Sequence, residues 1–116
     1  VLFQLFEGIR DSAREMRVAL AAGDWGRVAD VMRAAYPNRK RLAPNITTPH
    51  MDRLVETALG SGALAAKVCG AGGGGCIAFL CEDGAKDSVE RALAAEEGAE
   101  VLKWGFARDG LVVREF

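Results

Sequence analysis

"KVCGAGGGGCIAFLC", Lys67 to Cys81, places five glycines within the six positions Gly70 to Gly75, between two runs that read as β-strand. Each glycine loses more backbone freedom on folding than any other residue, about 0.5–1 kcal/mol relative to alanine inside a regular element. What offsets that loss is a φ angle that other residues reach only with strain, or a close approach of the backbone to a ligand or another segment. Both imply a tight loop between strands rather than a flexible linker. A plain hairpin needs only one or two glycines, so the run serves more than a turn.

As a pattern, Gly70-Ala71-Gly72-Gly73-Gly74-Gly75 satisfies G-x-G-x-x-G. A dinucleotide-binding fingerprint, however, follows a strand and opens a helix, so that the pyrophosphate sits on the helix N-terminus. The residues after this loop, "CIAFLC" (76–81), are short and apolar with a β-branched and an aromatic residue, and they read as a strand. A Walker A loop needs Lys-Ser or Lys-Thr after its glycines, whereas Lys67 precedes these. The glycine loop of protein kinases is closer in shape, yet nothing like that family's catalytic or metal-binding segments follows. What remains is a strand-loop-strand whose N–H groups form an anion nest, or which packs beneath another backbone. A purely structural connection is the bland alternative.

Outward from the loop, apolar periodicity predicts a helix over residues 2–22 through Leu2, Leu5, Phe6, Ile9, Ala13, Met16 and Leu20. Gly23 stops it, and Asp24 caps a second helix that carries Trp25, Val28, Val31, Met32 and Ala35 on one face and closes before Pro37. "PNRKRLAPNITTP" is a polar connection. Thr47 and Thr48 before Pro49 start a third helix, with Met51, Leu54, Val55 and Ala58 inward, which ends at "GSG". "ALAAKVC" (63–69) and "CIAFLC" are strands, and residues 84–97 are a fourth helix with Val89, Ala92 and Leu93 inward. "AEVLKWGFA" (99–107) and "LVVREF" (111–116) are read as two more strands, joined across "RDG" with Gly110 in the left-handed position. The expected fold is α+β: a ferredoxin-like sandwich with an antiparallel sheet of about four strands and helices packed on one face.

The chain has 116 residues, a single domain by length, and a formal charge of -1. That balance gives no global field for nucleic acid or an anionic membrane, so anion binding has to be local. No apolar run approaches the length of a membrane span and no signal peptide opens the chain. The opening "VLFQLFEGIR" has no initiator Met and is already helical in pattern, which reads as a piece of a longer protein. Cys69, Cys76 and Cys81 are too few and too unevenly spaced for a disulfide framework, and an odd count suits a reducing cytoplasm. His50 is the only histidine and lies far from the cysteines in sequence, so no metal site is expected.

"KVCGAGGGGC" resembles the third conserved motif of the GHMP kinases, a Lys, two residues and then Gly-Ala-Gly-x-Gly-Gly. Lys67, Gly70, Ala71, Gly72, Gly74 and Gly75 each match it. "NRKRLAPNITTPHMDRLVETALGSGALAAKVCGAGGGGC" is most similar to the branch that phosphorylates D-glycero-D-manno-heptose 7-phosphate, while mevalonate kinase shares the glycine motif and the cysteine after it. The resemblance implies that the whole chain is a C-terminal domain of ferredoxin-like type. It implies ATP and Mg²⁺ in the full-length enzyme, and neither held tightly by this chain. The partner it implies is an N-terminal kinase domain of the same polypeptide, carrying a Pro-x-x-x-Gly-Leu-x-Ser-Ser-Ala-type phosphate loop that is absent here. No catalytic residue and no metal ligand is assigned to these 116 residues.

The site residues expected from the resemblance are Gly70, Ala71, Gly72, Gly73, Gly74 and Gly75, forming one wall of a phosphoryl-transfer cleft. Lys40, Arg41 and Lys67 are candidates for binding a small phosphorylated sugar, since a dianion needs such donors. From charge alone, Arg39, Lys40 and Arg41 would be a solvated basic turn and Lys67 an exposed strand lysine. His50 and Asp52 lie in the first turn of the third helix, where Asp52 favours the helix dipole. Two further readings stay open: a free-standing module that binds a small anion or a partner through the same loop, and self-association through an apolar patch left by a missing domain.

Overall fold

The structure is a computed structural model and describes residues 1–115. The elements in chain order are α1 (Leu2–Ala22), α2 (Trp25–Lys40), α3 (Pro49–Leu59), β1 (Ala63–Val68), β2 (Ile77–Cys81) and α4 (Lys86–Ala94). The helix boundaries follow capping chemistry. Gly23 takes φ 65° and ends α1 in the left-handed conformation, while the Asp24 carboxylate accepts from the Arg27 N–H at 3.0 Å and starts α2. The Thr48 hydroxyl accepts from the Met51 N–H at 3.2 Å, with Pro49 in the first turn of α3.

α1 and α2 form an antiparallel pair, and α2 packs on β1. Arg33 reaches across to the Leu64 carbonyl at 3.0 Å. β1 is nearly all small residues, with Ala63, Ala65, Ala66 and Val68 buried, which lets α2 and α3 approach its backbone closely. The core has two centres. Ile46, Met51 and Val68 gather with Tyr36 and Ile77 beside the glycine loop, and Ala58, Ala63 and Val89 gather with Phe79, Cys81 and Leu93 under α4.

β1 and β2 pair antiparallel, from Val68 opposite Ile77 to Ala63 opposite Cys81, with an irregularity at Leu64. The Cys69 N–H donates to the Cys76 carbonyl at 3.0 Å. Alternation from that bond makes Lys67/Ala78 and Ala65/Leu80 the hydrogen-bonded pairs, so the backbone groups of Ile77 and Phe79 face the outer edge of the sheet.

Two expectations need correction, and a third is met in part. The second helix does not close before Pro37 but runs to Lys40. Proline forfeits one helical hydrogen bond, and close to a helix end the remaining turn still closes, here through Arg41 N–H to the Pro37 carbonyl at 3.2 Å. Arg39 and Lys40 in that last turn also complement the negative end of the helix dipole. The fourth helix is shorter than 84–97: it starts at Lys86, after Gly84 in a left-handed turn (φ 78°), and ends at Ala94, with a turn from Ala95 to Gly98 (φ 77°) following it. Finally, the sheet has two strands among the described residues, not about four. Segments 99–107 and 111–115 form no ladder, and Phe116, the last residue of the expected final strand, lies outside the described residues. A strand exists only by pairing, and these segments have no partner among the described residues: Leu102, Trp104 and Phe106 are 54%, 74% and 86% exposed.

Val89 is 2% exposed and Trp25 58%, so the two apolar side chains should behave differently on truncation. Val89→Ala should lower stability by roughly 1.5–3 kcal/mol, from lost transfer energy plus a residual cavity. Trp25→Ala should stay within about 0.5 kcal/mol. Urea denaturation of both variants checks this, and equal losses would contradict the core described above.

Candidate functional site

The loop between β1 and β2 explains its composition. Gly70, Gly72, Gly73, Gly74 and Gly75 have φ of 69°, 90°, 76°, 153° and 82°. All five lie in the region where a Cβ is strained. Two of them are also held by contact. A Cβ on Gly72 would lie 2.7 Å from the Ile46 carbonyl oxygen and 3.0 Å from its Cα, and one on Gly73 would lie 3.2 Å from the Asn45 oxygen. The Gly73 N–H donates to the Ile46 carbonyl at 2.9 Å. The loop therefore lies backbone against backbone on the segment before α3, and Ile46, buried beneath it, ties that segment to the core.

Gly70, Gly74 and Gly75 have open space where a Cβ would be. Among the described residues, the N–H groups of Gly70, Ala71, Gly72, Gly74 and Gly75 form no hydrogen bond, and the outer part of the loop is exposed. Successive free N–H groups on left-handed backbone are a surface suited to an anionic oxygen. The stretch 69–76 contains no carboxylate, so no side-chain charge in it opposes an anion.

The basic candidates separate. Arg39, not Lys40 or Arg41, reaches the loop: its Nη2 donates to the Gly70 carbonyl. Lys40 instead pairs with Asp52 at 3.1 Å and lies over the Tyr36 ring. Arg41 is exposed at the end of α2, and Lys67 is exposed on β1; neither has a carboxylate within 4.0 Å among the described residues. Asp52 does sit in the first turn of α3. His50 is half-buried, with Nδ1 3.4 Å from Arg53 and Nε2 against Gly98 rather than the glycine loop. Among the described residues no three His, Cys, Asp or Glu side chains converge, and Cys69, Cys76 and Cys81 are free thiols. Burial pushes the Cys81 thiol up, with Glu90 adding to the shift.

Sequence reasoning saw Arg39 in the basic cluster but passed over it for Lys40 and Arg41, and it missed Asn45 and Ile46 as parts of this site. Once α2 runs through Pro37, residues 36, 39 and 40 share its last turn. That continuation is the signal that would have found Arg39.

Residues 16–100 match the family model described as GHMP kinases C terminal. The chain is similar to the D-glycero-alpha-D-manno-heptose 7-phosphate kinase of Campylobacter jejuni, 26% identical over 108 residues that cover 93% of this chain and 32% of that protein. It is similar to the mevalonate kinase of Aeropyrum pernix, 33% identical over 106 residues that cover 90% of this chain and 31% of that protein. Among solved structures, the L. major mevalonate kinase in complex with R-mevalonate superposes with a TM-score of 0.69 at 26% identity, over 80% of this chain and 28% of that one. The chain thus spans about a third of the length of the curated relatives it matches.

The contact at Gly72 gives a paired test. Gly70→Ala should lose about 1–2 kcal/mol, for a Cβ on left-handed backbone alone. Gly72→Ala should lose more, about 3 kcal/mol, because it also forces the loop off Ile46, and the Gly73 amide should lose its protection from hydrogen exchange. Equal losses with Gly73 still protected would contradict the packing.

Proposed function

The chain belongs to the GHMP kinase family, as a C-terminal domain of it, and from that premise we propose that it is one half of an ATP-dependent small-molecule kinase, with residues 70–75 lining one wall of the phosphoryl-transfer cleft. The observation that carries this reading is the row of unpartnered N–H groups on positive-φ glycines, fixed from beneath by Ile46. Phosphoryl transfer relies on positioning and on stabilising charge spread over three phosphoryl oxygens. Backbone N–H groups held in place before the reaction do this without reorganising.

In the full-length enzyme, ATP supplies the γ-phosphoryl group and Mg²⁺ neutralises charge on the phosphates. Residues 69–76 provide no carboxylate to the metal; its ligands, and any catalytic base, are proposed to come from the N-terminal kinase domain of the same polypeptide. Lys67 and Arg41, free of ion pairs among the described residues, are the donors proposed for a phosphorylated substrate. Lys40 joins them only by leaving Asp52. The proposed acceptor is a hydroxyl of a sugar phosphate of the heptose 7-phosphate type, the anomeric one, supported by the Campylobacter jejuni relative. The similarity to two mevalonate kinases supports mevalonate as the second reading. Residues 1–116 alone are proposed to be inactive. No described helix is long and apolar enough to cross a membrane, and the proposed location is the cytoplasm.

The four-stranded ferredoxin-like sheet belongs to the same proposal. The outer edge of β2 is free, the apolar residues at 102, 104 and 106 are exposed on alternate positions, and Phe3 and Phe6 of α1 are 74% and 55% exposed. These surfaces are where the rest of the polypeptide completes the sheet and docks. The Ile77 and Phe79 amides should therefore exchange rapidly in residues 1–116 and at least tenfold more slowly in the full-length protein. Equal rates would contradict completion of the sheet at that edge.

Gly74 is the position for testing the kinase role, since a side chain there meets nothing within 4 Å of the domain itself. Gly74→Val in the full-length protein should leave it folded and reduce phosphorylation of a panel of sugar phosphates and mevalonate by more than about a hundredfold, the scale expected for losing an oxyanion-type donor. Wild-type turnover in that variant would overturn the assignment.

A further inference from the structure

The glycine loop leaves and re-enters the sheet through two cysteines. The register that sets Lys67 opposite Ala78 and Val68 opposite Ile77 continues to Cys69 opposite Cys76, and the Cys69 N–H donates to the Cys76 carbonyl at 3.0 Å. Among the described residues the reciprocal bond, from the Cys76 N–H, is not formed, so one hydrogen bond closes the neck of the loop. Directly opposed residues of an antiparallel pair share a face, with Cα atoms about 5.5 Å apart and Cβ atoms about 4.5–5.5 Å apart. A disulfide spans Cα atoms about 4.4–6.8 Å apart and Cβ atoms about 3.5–4.5 Å apart. The pair meets the first condition as it stands, and the second after a closure of about 1 Å.

Both thiols are open to such a bond. Cys76 is exposed and Cys69 half-buried, and the Cys69 thiol is held only by a weak contact to the Lys67 carbonyl at 3.8 Å. A free cysteine ordinarily serves as a small buried apolar side chain. That accounts for Cys81, which packs against Ala58, Ala63 and Val89 under α4, and not for the exposed Cys76. Cys81 is also out of reach of the pair: it stands five residues further along β2 than Cys76 and on the other face, roughly 16–17 Å away at the rise of a strand. The neck has room to close, because Gly70 and Gly75 flank it with open space where a Cβ would be.

We propose that Cys69 and Cys76 are a redox pair, which forms a reversible disulfide across the neck of the glycine loop by exchange with a low-molecular-weight disulfide. The Cys76 thiolate attacks one sulfur of that disulfide, giving a mixed disulfide and releasing the other half as a thiol. The Cys69 thiolate then attacks the Cys76 sulfur, forming the Cys69–Cys76 bond and expelling the second half. Two protein thiols are oxidised, one small disulfide is reduced to two thiols, and the two cysteine protons end on the released thiols. An exposed bridge of this kind belongs to the readily reduced class, so the exchange runs both ways. Closure draws on Gly70 and Gly75 while Gly73 stays on the Ile46 carbonyl, and redox state thereby sets the spacing of the unpartnered N–H groups on the outer part of the loop.

The test uses residues 1–116 and the variants Cys69→Ser, Cys76→Ser and Cys81→Ser, each equilibrated with oxidised glutathione, quenched by alkylation and weighed intact. Wild type and Cys81→Ser should each lose two hydrogens, with Cys81 the one thiol left to alkylate in the wild type. At about 0.1 mM glutathione the bridged form should exceed the glutathione adduct at least tenfold, because a tethered thiol acts at an effective concentration in the millimolar range. Cys69→Ser and Cys76→Ser should form no bridge, the first stopping at the adduct on Cys76. In backbone NMR spectra, oxidation of the wild type should shift the Gly70 and Gly75 amides, keep the Gly73 amide protected, and reverse with dithiothreitol. Unchanged α1 amides show that the variants remain folded. A wild type that stops at the glutathione adduct, bridges that include Cys81 or join two chains, or a bridge that forms only in urea would each overturn the proposal. Activity does not enter the experiment, so its failure leaves the kinase reading standing.

Discussion

The contact on which this structure depends is between two backbones: the Gly73 N–H on the Ile46 carbonyl at 2.9 Å, with Gly72 so close that a single methyl would fall 2.7 Å from the same oxygen. Packing at that distance admits only glycine. It converts a run of residues with the highest conformational freedom into a loop of fixed shape. Ile46 is buried with Met51 and Val68, so the loop is anchored to α3 and β1 together. The anchor uses one N–H and leaves those on either side of it directed elsewhere.

Division of labour along the loop follows. Gly72 and Gly73 serve packing as well as turning; Gly74 and Gly75 have positive φ without any close neighbour, so within the domain only their backbone conformation calls for glycine. Arg39 adds a second tether through the Gly70 carbonyl, from a helix that packs on β1. A loop tethered this way is preorganised on the domain side, which is what the positioning role proposed for it in phosphoryl transfer would require.

Local chemistry was legible in the sequence where one residue decides the outcome. Asp24 and Thr48 mark helix starts by their side-chain hydrogen bonds, and Gly23 and Pro49 mark helix ends by the φ angles they take, and each does so in the structure. The loop was legible as strand-loop-strand because Ile77, Phe79 and their neighbours suit a pleated surface and not a helix. Pro37 misled because the helix absorbs the one hydrogen bond that proline forfeits and closes through the Arg41 N–H on the Pro37 carbonyl, and reading it as closed earlier left Arg39 as part of a basic turn. The segments at 99–107 and 111–115 read as strands by alternation, but alternation describes a surface and not a partner. Among the described residues the partner is missing, so Trp104 and Phe106 contact each other edge to face at 5.0 Å. Lys40 and Arg41 were singled out by the family resemblance, which says nothing about which neighbour a side chain reaches; Asp52 claims the first.

The central claim is that the loop holds its outer N–H groups free for an anion while Gly73 is engaged beneath. Titration of residues 1–116 with inorganic phosphate, followed at the backbone amides of Gly70 to Gly75 by NMR, tests it most directly. Saturable shifts largest at Gly74 and Gly75, with Gly73 nearly unmoved, are the predicted result. Unperturbed amides throughout the loop, or a Gly73 amide that responds as strongly as its neighbours, would contradict it.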